Sequence, residues 1–390
     1  MAEVPGTERP AESVTRPVVD DAPPLAFDPA LAPAPDAAPG GELPTPAAGA
    51  PGGVAGSRGL AVWLAVLTAS GVGGLLLGMQ EVAALVAIAG LFVASQAADL
   101  DARWKGLYYL LAWVVPCGGA AVSLVIAFAI SRSELAGPLR SPILAMSVAG
   151  AVVCLLTVFR PISNSLSAVL FRTDPPSHTL RLSARMTLVV ALLALPGWFA
   201  FRSVMDEVLA NPGSLLERVS FGGELLGYVL LALASVGFMV RRDLRATLER
   251  LGIHPIGAAQ LAMVAIGVFT LYALNTGTEW LERVFFNDLW KSDQRFTETI
   301  ASGLGPGRIL MLGLSAGIGE EITLRGALQP KLGLVTTSLL FAALHVQYSW
   351  FGMCVIFLLG LTLGTIRMKT STSVAMAVHT IYDVLAVLSV

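Results

Sequence analysis

The chain has 390 residues, 55% of them hydrophobic and 13% charged, with a mean hydropathy of +0.73. Soluble domains carry about 25% charged residues, so this composition excludes a water-soluble enzyme and puts most of the chain in a bilayer. The net charge of −2 is small but unevenly spread.

Residues 1–58 hold 12 of the 23 prolines, eight acids and three arginines, padded with Ala and Gly. Such a segment cannot bury enough apolar surface to offset its ordering entropy, and it is expected to be a disordered tail. It lacks the basic region followed by an apolar stretch that marks a signal peptide. Cys117, Cys154 and Cys354 lie far apart in apolar runs without metal-binding spacing and read as packing residues.

A spanning helix needs about 20 mostly apolar residues. Residues 60–79, 81–98, 106–130, 141–159, 187–205, 221–240 and 256–275 meet that description. A polar stretch, 275–303, follows, with Trp280, Phe285, Phe286 and Trp290 among charged residues; its amphipathic character predicts an interfacial segment. Four more apolar segments close the chain, at about 307–324, 333–346, 350–366 and 372–389. The expected fold is all-α: a polytopic transmembrane bundle of about ten or eleven spans. Its parts are a tail (1–58), a first bundle (59–275), an interfacial loop (276–304) and a core (305–390). With the N-terminus in the cytoplasm, fifteen loop Lys and Arg fall inside and eight outside, the bias that sets orientation. The basic run 241–250 is accounted for by the same bias.

An ionisable residue near the bilayer centre costs roughly 2.5–3.5 kcal/mol on insertion scales. The last third of the chain nevertheless carries Glu320, Glu321, Arg325, His345, His379 and Asp383 in apolar segments. Glu321 and Arg325 are four apart and share a helix face, so they can pair, while Glu320 points about 100° away. Phe341 and His345, and His379 and Asp383, repeat the four-residue spacing. Pro and Gly in 329–333 predict a turn. Glu320 and His345 then stand at roughly 18–20 Å along two antiparallel arms. A second turn near 367–372 brings His379 to a similar depth, so these groups can converge in one pocket, expected to open inward. A carboxylate beside a histidine can orient water and take its proton. A second histidine with a hydrogen-bonding neighbour can stabilise the resulting oxyanion. No G-x-S-x-G or H-E-x-x-H motif is present.

Glu320-Glu321-x-x-x-Arg325, Phe341-x-x-x-His345 and His379-x-x-x-Asp383, in that order, resemble the three-motif pattern of the CPBP family, the CAAX-processing and bacteriocin-processing intramembrane proteases that include the type II CAAX prenyl endopeptidases. The resemblance covers about residues 300–390. It implies a helical membrane protein that hydrolyses peptide bonds in or beside the bilayer. By this resemblance Glu320 and His345 would activate water, and His379 and Asp383 would form the oxyanion site. Glu321 and Arg325 would support them, with Phe341 packed on His345. The motifs have no familiar zinc spacing, which favours a metal-free mechanism; a zinc ion, if one is used, would be held by Glu320, His345 and His379. The third motif often ends in Asn; here Asp383 would be protonated or would orient His379.

The implied partners are the bilayer and a membrane-associated protein or peptide substrate, with no nucleic acid. Composition points to an integral protein of a bacterial inner (cell) membrane with a cytoplasmic N-terminus. Two alternatives stand beside this reading. Buried Glu, His and Asp also build proton relays, as in a proton-coupled transporter. A non-catalytic immunity or anchoring member of the same family would keep the fold without the reaction.

Overall fold

The computed structural model describes residues 55–132, 139–173, 175–210 and 219–389. The expected tail lies outside the described residues up to position 54; its last residues open the first helix. Every regular element among the described residues is helical.

The first part of the chain runs through α1 (Ala55–Leu76), α2 (Gln80–Leu100), α3 (Lys105–Leu111), α4 (Val114–Arg132), α5 (Arg140–Leu156) and α6 (Arg160–Phe171). It continues with α7 (His178–Ala210), α8 (Phe221–Val236) and α9 (Leu244–Leu251). Small residues set how closely these helices approach. Gly223 and Gly227 of α8 meet Val82 and Leu85 of α2, and Gly119 of α4 meets Val189 of α7. α5 and α6 are bent by 102° at the break between them. Extended Phe159 precedes the bend, and Pro161 then opens α6, a position where its missing N–H costs nothing.

The rest comprises α10 (Ala258–Phe285), α11 (Asn287–Ser302) and α12 (Pro306–Leu314). α12 continues through two π-helical stretches, Ser315–Glu320 and Ile322–Leu328, into the short α13 (Gln329–Leu332). Gly333, at φ 78°, turns the chain into α14 (Leu334–Ala343), and α15 (Trp350–Lys369) and α16 (Thr372–Leu388) follow. Leu271, Leu359, Leu363, Val374 and Val378 form the core between α10, α15 and α16. Gly313 and Gly317 seat the α12 segment directly on Thr380 and Val384 of α16.

Among the described residues six helices are long and apolar enough to cross a membrane, or up to seven if α5 and α6 form one bent span. The sequence predicts ten or eleven because four of its apolar segments become something shorter. α8 has 16 residues, α14 has 10 and α16 has 17. The segment 307–324 is split between α12 and π-helix. Hydropathy registers an apolar run but not where its backbone breaks. The polar stretch 276–304 is helical, forming the end of α10 and all of α11.

Candidate functional site

The site is built around Glu321 and Arg325, both fully buried and 3.2 Å apart between Oε1 and Nη1. π-Helical stretches inside α-helices concentrate at functional sites; Glu321 sits between two such stretches and Arg325 lies within the second. A buried charge is tolerated only when paired, and Arg325 is held on three sides. Its guanidinium lies 4.3 Å from the ring centroid of Phe341, and Nη2 donates to the carbonyl of Gly360 at 3.4 Å. Gly360 is needed here, because a β-carbon would stand 2.9 Å from the Phe341 ring.

The third motif docks on the first. His379 Nδ1 lies 3.1 Å from Glu321 Oε1, and its Nε2 lies 3.4 Å from Asp383 Oδ2. The carboxylate of Glu321 accepts, so Nδ1 carries a proton. Between Nε2 and Asp383 at least one partner must carry a proton for the contact to be attractive.

His345 stands just beyond the end of α14, in the turn 344–349, where the expectation is a helical arm. Its Nδ1 donates to the carbonyl of Phe341 at 2.7 Å. That carbonyl is among the last four of the helix, which have no partner within it, so the side chain caps its own helix. The bond also fixes the tautomer: a neutral imidazole that donates from Nδ1 presents a lone pair at Nε2. The Phe341 ring packs edge-on against His345 at 4.8 Å and His379 at 5.9 Å.

Phe341, His345, His379 and Asp383 line one cavity of about 290 Å³, together with Tyr348, Tyr382, Glu282 and Asp293. Other lining residues come from the second half of α10, from α11 and from the end of α16. The cavity therefore reaches the end of the bundle opposite the turns at Gly333 and 370–371. Glu320 does not line it. Its half-buried carboxylate has Oε2 shielded from solvent and without a hydrogen-bond partner. It lies within electrostatic reach of His379 and Asp383, and of Glu224 and Tyr228 on α8.

Glu320, His345 and His379 do not fit a zinc ion as arranged. Both nitrogens of His379 face carboxylates, and among the described residues no group of three or more His, Cys, Asp and Glu is placed to hold a metal.

Sequence reasoning missed Asp293, Glu282 and Ser349. Ser349 N–H is accepted by both oxygens of Asp293, at 2.8 and 3.0 Å, and its hydroxyl donates to Glu282 at 2.9 Å. The signal for Ser349 was available, since a serine just before an apolar run is a helix N-cap. Its hydroxyl accepts from the N–H of Gly352 at the start of α15. Asp293 gives no such signal, because an acid in a polar stretch reads as solvated.

Fold and site together define a polytopic helical membrane protein with a cluster of carboxylates and histidines buried in its last helices. Residues 303–385 match the family described as type II CAAX prenyl endopeptidase Rce1-like and form a CPBP domain containing all seven motif residues. The match over this domain points to an intramembrane protease. The chain is also 28% identical over 158 residues to the uncharacterized protein YpbD of Bacillus subtilis (strain 168), across 40% of this chain and 80% of that protein. No solved structure matches.

Proposed function

We propose that the chain is an endopeptidase that hydrolyses a peptide bond near the membrane-associated terminus of a protein or peptide substrate. The observation that carries this reading is that His345, from the turn after α14, and His379 and Asp383, both from α16, line one cavity while the buried Glu321–Arg325 pair anchors the group.

In this reading His345 Nε2 orients a water in the cavity beside the scissile carbonyl, the Glu320 carboxylate turns toward that water from its place outside the cavity lining, and the two take its proton as oxygen attacks carbon. The proton between His379 Nε2 and Asp383 Oδ2 is donated as a hydrogen bond to the developing oxyanion. Collapse breaks the C–N bond, and the proton held at His345 or Glu320 passes to the leaving amine. Glu321 and Arg325 hold His379 in place and Phe341 fixes the faces of both imidazoles. No step passes through a metal, because the arranged donors do not fit one.

The test is cleavage in membranes. Glu320→Gln and His345→Ala should each abolish terminal processing of membrane proteins followed by mass spectrometry; unchanged products in both variants would remove the proposal.

A further inference from the structure

His345 stands on irregular backbone, and non-helical backbone at membrane depth persists only where protein or water satisfies its polar groups. Three helices from outside the family-matched segment do this for the turn 344–349. Asp293 of α11 accepts from Ser349 N–H with both oxygens, Glu282 of α10 accepts from its hydroxyl, and Trp198 of α7 donates its indole N–H to the carbonyl of Tyr348 at 2.8 Å. Asp293 is 8% exposed and Glu282 6%, unusual burial for acids. Arg202 Nη1 stands 3.8 Å from Asp293 Oδ1. A β-carbon at Gly352 would come 2.6 Å from Asp293 Oδ2, so α15 is shaped to receive that carboxylate. Two buried acids thus converge on the residue that closes the turn bearing His345, and both line the same cavity as its imidazole.

Resting on the peptidase reading of this cavity, we propose that Asp293 is a positioning residue: by gripping the backbone N–H of Ser349 it fixes the turn, and with it the direction in which His345 Nε2 enters the cavity. Displacement of a reacting group by about 1 Å costs about 100-fold in rate, so a grip four residues from His345 is close enough to govern turnover.

The experiment uses the full chain in liposomes, labelled with ¹⁵N-histidine; the protein has four histidines, which keeps the imidazole spectrum assignable. In the wild type, His345 is expected in a single Nδ1–H form. Asp293→Ala should broaden or mix its signals while His178 and His254 stay unchanged. Asp293→Asn, which keeps one accepting oxygen, should restore them in part and covers the case in which the alanine variant does not fold. Glu298→Gln, an exposed change on the same helix, serves as the control. On a cleaved substrate, Asp293→Ala should lower kcat tenfold or more with KM within about twofold. Wild-type His345 signals in both Asp293 variants, or a fall in Tm without a change in kcat, would overturn the proposal. If instead Glu320→Gln and His345→Ala cleave like wild type, the peptidase reading fails, and the imidazole spectrum still decides whether Asp293 positions His345.

Discussion

Glu321 Oε1 receives His379 Nδ1 at 3.1 Å across 58 residues of sequence, and the same oxygen lies 3.2 Å from Arg325 Nη1. One buried carboxylate thus joins the first motif to the third. Removing it leaves two donors stranded where solvent cannot reach them. Breaking a buried ion pair costs about 3–5 kcal/mol, so Glu321→Ala should lower thermal stability in detergent by an amount of that order. Replacing both partners with apolar residues, as in Glu321→Leu with Arg325→Met, should recover most of the stability and none of the activity, because His379 then lacks its anchor.

The close seat of α12 and its π-helical continuation on α16 gives a second expectation. Gly317 faces the backbone and hydroxyl of Thr380 with no room for a β-carbon, whereas Gly277 of α10 has nothing within 4 Å. Gly317→Ala should destabilise the protein by about 1–3 kcal/mol through overpacking. Gly277→Ala should be neutral or stabilise by up to about 1 kcal/mol, since alanine has less freedom to lose. Thermal melts of the two variants against wild type check both signs.

Asp383 stands where the resembling family often has Asn. If its part is to share a proton with His379 Nε2 and present it to an oxyanion, an amide N–H can do the same. Asp383→Asn should keep activity within severalfold of wild type. Asp383→Ala should lose about 10²–10³ in kcat, the usual consequence of removing an oxyanion donor. Paired kinetics on one substrate separate these outcomes.

The all-helical fold was legible in the sequence, and so was which motif residues touch one another. Glu321 with Arg325, Phe341 with His345 and His379 with Asp383 could be read as pairs, because four-residue spacing survives both ordinary helix and its local distortions. The turn at Gly333 was readable from Pro330 and Gly333. Span number was not, because α14 stops after ten residues and leaves His345 on a turn inside an unbroken apolar run. Nor was the reach of the cavity, which depends on where α10 and α11 fold over the turn 344–349. Glu282 and Asp293 look solvated in a polar stretch and are buried because Ser349 reaches both.

Asp293 also gives a pH dependence. Burial raises its carboxyl above the ordinary value, against the opposing effect of the Ser349 hydrogen bonds and of Arg202. A raised folded-state pKa means that the folded chain holds this proton more tightly than the unfolded chain. The contribution to stability is complete below the unfolded value of about 3.9 and is lost as pH rises through the raised one. Asp293→Asn should flatten that limb of the stability–pH curve, measured as Tm at stepped pH, and leave the curve elsewhere unchanged.

The central claim is that His345, together with Glu320 turned in from outside the cavity lining, activates water for peptide hydrolysis at the cavity shared by His379 and Asp383. Its most direct test compares the termini of membrane proteins, by mass spectrometry, in cells carrying the wild-type chain, Glu320→Gln or His345→Ala. The account predicts shortened termini that require the wild-type chain and disappear in both variants. The same shortened termini with either variant would contradict it.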